Sequence, residues 1–150
     1  MRVITGSARG RKLKTPETYD IRPTTDNVKE AVFNIIQFDI EGRRVLDLFA
    51  GTGQLGIEAL SRGAAEAVFV DRDREAVRIV RDNLKTCGLQ AAVRQEDALS
   101  ALRREELIAH FKSVRAIREA SFEELCAVVP KNTAQAVWAY FRGDKEEQEE

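Results

Sequence analysis

A glycine-rich turn preceded by a carboxylate is the segment of this sequence whose residue types and spacing could do chemistry. Residues 47–56 read DLFAGTGQLG and contain the pattern Gly-x-Gly-x-x-Gly. Glycines let the backbone turn tightly, and they let a ligand approach main-chain N–H groups that a Cβ atom would obstruct. Strand-to-helix turns that bind nothing carry the same pattern, so the glycines alone leave both interpretations open.

Two further carboxylates support a ligand site at this turn. Asp71 ends an apolar run 20 residues after Gly51, where a carboxylate can accept hydrogen bonds from ribose hydroxyls, and Asp97 follows a third β-like run. Since the carboxyl ends of adjacent parallel strands line the crevice in which such folds bind ligands, Asp47, Asp71 and Asp97 are predicted to converge there. The alternative is that Asp71 and Asp97 are helix N-caps.

The charge of Asp47 indicates which kind of cofactor fits. A dinucleotide would place its anionic pyrophosphate at the glycine turn, where it and this carboxylate would repel each other. S-adenosylmethionine carries a cationic sulfonium and an ammonium group, and it has no phosphate. The residues therefore favour S-adenosylmethionine as the cofactor.

Strand-like and helix-like segments alternate around this turn, and they predict the fold that must position it. The run 43–50 is short, mostly apolar and followed by glycines, as expected of a strand buried on both faces. Alternation of such runs with segments of helical spacing predicts right-handed βαβ units in a parallel sheet. The predicted elements are a helix at 25–38 with apolar positions Val28, Val32, Ile35 and Ile36, strands at 43–50, 67–70 and 91–94, and helices at 55–62 and 74–86.

The alternation stops at Ala98, and every later segment has helical spacing. This change of pattern predicts a domain of residues 1–98 followed by a helical segment of residues 99–142. The last helix is predicted to end at Gly143, and the acidic tail 143–150 is predicted to be disordered.

Composition excludes several classes of protein. The chain has 150 residues, of which 43% are apolar and 33% charged, and these fractions are typical of a soluble globular protein. No run approaches the roughly 20 apolar residues of a membrane span, and the N-terminus lacks a signal peptide, so a cytoplasmic protein without a membrane partner is expected. Cys87 and Cys126 have no metal-ligand spacing, so neither a metal site nor a disulfide is predicted.

Basic residues are concentrated at the N-terminus, although the net charge is only -1. The runs 2–5 and 11–14 flank a loop of small residues, which predicts a β-hairpin with the basic side chains on an exposed two-stranded arm. Such an arm can bind nucleic-acid phosphate, or it can be a solvated surface. The basic residues are Arg2, Arg9, Arg11, Lys12 and Lys14.

Several motifs in combination resemble one family of enzymes. They are RVITG at 2–6, RGR at 9–11, RPTT at 22–25, KEAVFN at 29–34, and the segment 45–56 followed by EALSRGA at 58–64. With these motifs the run 1–98 resembles the RsmD-type methyltransferases, which methylate guanine N2 in small-subunit ribosomal RNA. The resemblance implies an S-adenosylmethionine methyltransferase fold. Together with the change of pattern at Ala98, it leads us to expect an α/β fold with an incomplete Rossmann-like sheet of three parallel strands, an N-terminal β-hairpin and a C-terminal all-helical segment.

The resemblance also implies site residues. Gly51 and Gly53 would lie at the methionine moiety of S-adenosylmethionine, Asp71 at its ribose and Asp97 near its adenine. The full set of implied cofactor-binding residues is Asp47, Phe49, Gly51, Thr52, Gly53, Asp71, Arg72, Asp97 and Ala98. The implied residues that bind ribosomal RNA are Arg2, Arg9, Arg11, Lys12 and Arg22.

The catalytic loop of that family is missing from this sequence. In the family, the loop (Asp/Asn)-Pro-Pro-(Phe/Tyr) accepts the hydrogens of the guanine amine and stacks the base. This chain contains three prolines, Pro16, Pro23 and Pro130, and none has a proline neighbour. No catalytic residue is therefore predicted, and the sequence leaves open whether the chain is an enzyme.

The helical segment resembles a different family. Residues 107–121 (LIAHFKSVRAIREAS), with 123–125 and 134–141, make the stretch of about 102–142 resemble the C-terminal helix-hairpin-helix region of the UvrC excinuclease subunit. That family grips DNA phosphate through N–H groups at a helix N-terminus, so DNA is a second expected partner. The corresponding turn 128–133 (VVPKNT) contains no glycine, and the alternative is a segment that only packs.

Three hypotheses for function follow from these observations. The first is a relative of the ribosomal RNA methyltransferases that keeps the cofactor pocket. The second is a nucleic-acid-binding module that uses the hairpin arm and the helical segment. The third is a fused or truncated reading frame, joined near residue 100, with no activity of its own.

Overall fold

The computed structural model of the protein describes residues 1–16 and 24–146. It divides into two compact units, Met1–Ala98 and Leu99–Glu150. The elements of the first unit are α1 (Asp26–Ile35), β1 (Arg44–Asp47), α2 (Gln54–Ser61), β2 (Glu66–Asp71), α3 (Arg74–Cys87) and β3 (Ala92–Gln95). Those of the second are α4 (Ala98–Phe111), which begins at the boundary, α5 (Val114–Glu119), α6 (Phe122–Val128) and α7 (Lys131–Glu146).

The three strands of the first unit form one parallel sheet in the order β1-β2-β3. Strand β2 is central and is buried from Ala67 to Val70, as expected of a parallel strand covered on both faces. Within the described part of the chain, β1 pairs with β2 and has no strand on its other side. The predicted α/β fold with three parallel strands is confirmed.

Helix α2 lies unusually close to β2 because of Gly56. A Cβ atom at this position would stand 2.3 Å from Cε1 of Phe69, whose ring is fully buried in the core of the first unit. The close approach brings the helix that follows the glycine turn directly onto the sheet. The buried residues of this core are Val3, Ala8, Leu13, Ala50, Ile57, Ala67, Phe69, Val80 and Leu84.

Helix α1 buries a different face from the one its apolar residues indicate. Thr25 caps the helix by accepting a hydrogen bond from the N–H of Val28, and the helix ends at Ile35 instead of residue 38. The predicted apolar stripe points largely to solvent, with Ile35 81% exposed. Lys29 and Phe33 are buried instead, because the Lys29 ammonium finds oxygen partners inside the unit. Helical spacing predicted the helix, but the buried face depends on contacts that are distant in sequence.

The N-terminal hairpin is part of the folded body and not a free arm. Its two runs pair through an antiparallel bridge between Arg2 and Lys12, and the N–H of Leu13 donates to the carbonyl of Met1. Alternate side chains, those of Val3 and Leu13, enter the core. The basic side chains remain on the outside, as the sequence predicts.

The second unit has a core of its own. The buried residues are Leu107, Ile117, Ala120, Leu125, Val129 and Ala134, with Trp138 and Phe141 packed against them. Ser121 and Glu124 form a capping box at the start of α6, as their spacing indicates. Helix α7 continues through Gly143 to Glu146, so its predicted end at Gly143 is wrong. A single glycine costs only about 1 kcal/mol in a helix, and the strong helix formers Lys145 and Glu146 follow. Residues 147–150 of the predicted disordered tail lie outside the described residues.

Neither a membrane helix nor a metal-binding cluster is found in the parts of the chain that the structure describes. No described helix combines the length and apolar character needed to cross a bilayer. No group of three or more potential metal ligands is gathered in the described ranges 1–16 and 24–146.

Candidate functional site

The glycine turn connects β1 to α2 through two residues in the left-handed conformation. Gly51 has φ +53° and Gly53, the N-cap of α2, has φ +77°, a region that residues with a Cβ atom rarely adopt. The turn is closed by hydrogen bonds from the N–H of Gly53 to the carbonyl of Ala50 (2.6 Å) and from the N–H of Ala50 to the carbonyl of Val70 (3.0 Å). The glycine spacing in the sequence thus corresponds to a turn that requires glycine.

Asp71, at the end of β2, holds this turn with its carboxylate. Its Oδ2 accepts a hydrogen bond from the N–H of Gly51 at 2.9 Å, and its Oδ1 accepts one from the N–H of Asp73 at 2.9 Å. Asp73, and not Asp71, is the N-cap of α3, where it accepts from the N–H groups of Glu75 and Ala76. The interpretation of Asp71 as an ordinary helix cap is therefore wrong.

Asp47 lies at the end of β1, close to Asp71, and its ionised form is disfavoured there. Its Oδ2 accepts a hydrogen bond from the N–H of Gly56 at 3.2 Å. Burial raises the pKa of Asp47 and the negative charge of Asp71 adds to the increase, while hydrogen bonds from the backbone of Gly56 and Phe49 oppose it. A cation bound beside Asp47 would relieve this repulsion.

The carboxylates line a cleft of about 1010 Å³, at the upper end of the range of roughly 300–1,000 Å³ for small-molecule sites. Eight of the nine residues predicted to bind the cofactor line it, namely Asp47, Phe49, Gly51, Thr52, Asp71, Arg72, Asp97 and Ala98. Gly53 is not among the lining residues, since it starts α2 behind the turn. The cleft is also lined by residues that the sequence motifs do not indicate, namely Thr15, Pro16, Thr24, Leu48, Ala50, Gln54, Leu55 and Asp73.

The missed residues of the N-terminal segment have no cofactor motif that could have indicated them. Thr15 and Pro16 directly follow the hairpin, and Thr24 precedes α1. A hydrogen bond from Nε2 of Gln54 to the carbonyl of Thr24 (3.1 Å) ties this segment to the start of α2. Arg22, which was predicted to bind RNA, falls in the same stretch but lies outside the described residues.

The basic hairpin is anchored to the far end of α2 by Glu58 and Ser61. The fully buried carboxylate of Glu58 accepts hydrogen bonds from the N–H groups of Ile4 (2.8 Å) and Thr5 (3.0 Å). The hydroxyl of Ser61 accepts from the N–H of Ala8 at 3.0 Å and donates to the carbonyl of Thr5. One helix therefore carries the glycine turn at its N-terminus and holds the hairpin near its C-terminus.

The charge of Glu58 is balanced by two cations inside the unit. Nε of Arg62 lies 2.8 Å from one carboxylate oxygen and Nζ of Lys29 lies 3.6 Å from the other. Nζ of Lys29 also donates to the carbonyl of Arg2, and the Arg62 guanidinium lies over the ring of Phe33. These ion pairs hold α1, α2 and the hairpin together. The four side chains that are predicted to contact RNA are exposed, namely Arg2, Arg9, Arg11 and Lys12.

Comparison with known proteins assigns the family. The family model described as Conserved hypothetical protein 95 matches residues 1–129. The chain belongs to this family. The family match continues beyond the first unit, through α4, α5 and α6.

Individual proteins similar to this chain include two that are named as ribosomal RNA methyltransferases. A protein of Bacillus subtilis (strain 168), YlbH, whose name assigns it provisionally to the rRNA methyltransferases, is 55% identical over 68% of this chain and 56% of its own length. Ribosomal RNA small subunit methyltransferase D of Escherichia coli (strain K12) is 44% identical over 68% of this chain and 52% of its own length. The predicted relationship to this methyltransferase family is confirmed. The match to this chain spans about half the length of each of these relatives.

Solved structures of similar proteins have the same fold. An Escherichia coli protein named provisionally as the methyltransferase yhhF is 42% identical and has a TM-score of 0.62, over 68% of this chain and 55% of its own. A hypothetical protein of Thermus thermophilus is 34% identical with a TM-score of 0.62, over 73% of this chain and 63% of its own.

Proposed function

We propose that this chain binds S-adenosylmethionine in the cleft and forms the cofactor-binding part of a methyltransferase that acts on guanine N2 of small-subunit ribosomal RNA. Two relatives carry names of ribosomal RNA methyltransferases, and eight of the nine residues inferred from the sequence line the cleft. The chain has no pair of adjacent prolines, so we assign no catalytic residue within it.

The observation that supports this proposal most strongly is that N–H groups of the glycine turn donate their hydrogen bonds to acceptors within the protein. The N–H of Gly51 donates to Asp71, that of Gly53 to the carbonyl of Ala50, and that of Gly56 to Asp47. A site for pyrophosphate needs such N–H groups free to donate to the ligand. Here these three N–H groups donate to acceptors inside the protein, and the ends of β1 and β2 present carboxylates to the cleft. This arrangement favours a cationic cofactor without phosphate.

Each carboxylate has a distinct proposed role toward the cofactor. The remaining lone pairs of Asp71 would accept hydrogen bonds from the ribose hydroxyls, because each of its oxygens has one backbone donor in the structure. Asp47 would face the positive charge of the methionine part, and Asp97 would lie near the adenine. The cofactor supplies the methyl group on a positively charged sulfur.

Calorimetric titration tests the cofactor proposal. We expect S-adenosylmethionine to bind with release or uptake of heat and NAD⁺, which carries a pyrophosphate, to give none at millimolar concentration. Asp47→Asn should weaken S-adenosylmethionine binding, because it removes the charge and keeps the shape of the side chain. Absence of heat with millimolar S-adenosylmethionine, or equally tight binding of NAD⁺, would refute the proposal.

The exposed basic side chains of the hairpin are proposed to contact the RNA backbone. Fluorescence anisotropy with unmodified small-subunit ribosomal RNA should give an affinity that falls with salt concentration. Replacing Arg2, Arg9, Arg11 and Lys12 together by Gln should reduce both the affinity and its salt dependence without changing cofactor affinity. Binding of the same strength by this fourfold variant would exclude the hairpin as the RNA contact.

A second candidate function is DNA binding by the helical unit, as in helix-hairpin-helix modules. It would use the turn at Val129 and Pro130 between α6 and α7, with Lys131 at the start of α7. The burial of Val129 and Ala134 on either side of this turn supports the packing role instead. Anisotropy with duplex DNA distinguishes the two roles, because only a DNA contact predicts affinity that is lost in Lys131→Glu.

A further inference from the structure

Asn83 on α3 is a fully buried polar side chain that lies outside the cleft and contacts two distant segments. Its Oδ1 accepts a hydrogen bond from the N–H of Lys14 at 2.7 Å, and its Nδ2 donates to the carbonyl of Lys14 at 3.1 Å. The same Nδ2 donates to the carbonyl of Thr52 at 2.9 Å. Both amide hydrogens and the amide oxygen therefore have backbone partners.

The two segments that Asn83 joins belong to the two proposed binding surfaces. Thr52 lies between Gly51 and Gly53 in the cofactor turn, and it lines the cleft. Lys14 ends the second run of the basic hairpin, and the next two residues of the chain line the cleft as well. A single rigid carboxamide fixes the distance between the turn and the hairpin.

We propose that Asn83 is a positioning residue that couples the two surfaces, so that cofactor in the cleft strengthens the binding of RNA to the hairpin. This inference rests on the proposed function. If the turn or the hairpin shifts alone, a buried donor or acceptor of the amide loses its partner, and such losses are unfavourable. Ordering the Thr52 carbonyl by cofactor binding therefore orders Lys14, and the effect is reciprocal by linkage.

A second contact supports the same path. The hydroxyl of Thr52 donates to Sδ of Met1 at 3.3 Å, and the carbonyl of Met1 accepts from the N–H of Leu13 in the hairpin. The side chain of Lys14 is held to α3 as well, by an ion pair with Asp82 at 2.9 Å. This exposed ion pair joins α3 to the hairpin alone and does not reach the turn, whereas Asn83 contacts both the hairpin and the turn.

The test measures the affinity for unmodified small-subunit ribosomal RNA with and without saturating S-adenosylhomocysteine, which occupies a cofactor site without transferring a methyl group. We expect the RNA dissociation constant of the unaltered protein to fall by about 5- to 20-fold with the cofactor product, within the usual range of coupling. Asn83→Asp keeps the acceptor for the N–H of Lys14 but replaces the donor that both carbonyls need. In this variant the ratio of the two dissociation constants should approach one while each ligand still binds.

Leu84→Ala is the matched control, because Leu84 is the neighbouring buried residue of α3 and contacts neither segment through hydrogen bonds. It should lower the melting temperature and retain the coupling ratio. A ratio that Asn83→Asp leaves unchanged, a ratio of one in the unaltered protein, or an equal loss of coupling in Leu84→Ala would overturn the proposal. If the unaltered protein binds neither ligand, the proposed function fails instead.

Hydrogen exchange in the unaltered protein provides a measurement that does not depend on the folding of a variant. The Lys14 amide donates to Asn83, so its exchange should slow when S-adenosylhomocysteine is added, although the cofactor would bind at the turn. An exchange rate at Lys14 that is the same with and without the bound product would refute the coupling.

Discussion

Neutralising Asp71 and neutralising Asp47 should change the stability of the protein in opposite directions, although both residues end neighbouring strands at the same cleft. Asp71 uses both oxygens to accept backbone N–H groups, from Gly51 and Asp73. Asn at this position can accept only one of them, and its NH₂ group then faces the other N–H group. An unsatisfied N–H group costs about 1–3 kcal/mol, and relief of the repulsion with Asp47 offsets part of this. For a unit of 98 residues, a net loss of roughly 1–2 kcal/mol lowers the melting temperature by about 5–15 °C.

Asp47→Asn removes a charge that the fold disfavours and keeps an oxygen for the N–H of Gly56. The pKa of Asp47 is raised in the folded protein by burial and by Asp71, so its contribution to stability is fully present below the unfolded pKa and is lost as the pH rises through the folded pKa. At neutral pH the Asn variant should therefore melt at a higher temperature than the unaltered protein. This advantage should shrink as the pH falls through the raised pKa of Asp47 and the carboxyl group becomes protonated.

Thermal melting by circular dichroism between about pH 4 and pH 8, for both variants and without cofactor, checks these signs. Both variants should also bind S-adenosylmethionine about 10- to 100-fold more weakly, a loss of about 1.4–2.7 kcal/mol per site. Equal destabilisation by the two substitutions would show that the carboxylates are not held as described. A pH-independent difference between Asp47→Asn and the unaltered protein would contradict the raised pKa of Asp47.

Three further outcomes are expected. Gly56→Ala should destabilise the first unit by about 1–3 kcal/mol in chemical denaturation, because its Cβ overlaps the Phe69 ring, and adding Phe69→Leu should restore part of the loss. Replacing Arg9 and Arg11 by Gln should lower the salt dependence of RNA binding while the melting temperature stays the same, since both side chains are exposed. Leu125→Ala should cost the helical unit about 2–5 kcal/mol and speed hydrogen exchange in α6, while β2 remains protected.

The sequence predicts the parts of this protein that depend on local signals. The glycine spacing predicts a tight turn, which the structure forms with Gly51 and Gly53 in the left-handed conformation. The predicted strand ends bring Asp47 and Asp71 to the same cleft. These features follow from backbone geometry and from the parallel arrangement, so they need no knowledge of distant contacts.

Polar contacts between distant segments could not be predicted in this way. Glu58, Ser61 and Asn83 look like ordinary polar residues of amphipathic helices, yet each binds backbone groups of the hairpin more than 50 residues away in sequence. Lys29 is the clearest case, because a lysine beside valines is expected to face solvent but lies fully buried. The sequence pattern also does not reveal where the glycine N–H groups donate, since it is the same whether they bind a ligand or a side chain.

The position of β1 at the border of the sheet makes the two sides of the cleft unequal in stiffness. Asp71 extends from a strand that has hydrogen-bonded neighbours on both flanks, whereas Asp47 extends from one that is supported on a single flank by described residues. Strands at a border fluctuate more than central ones. Binding of a ligand in the cleft should therefore reduce the backbone fluctuations of β1 far more than those of β2. This loss of motion should appear as an unfavourable contribution to the binding entropy.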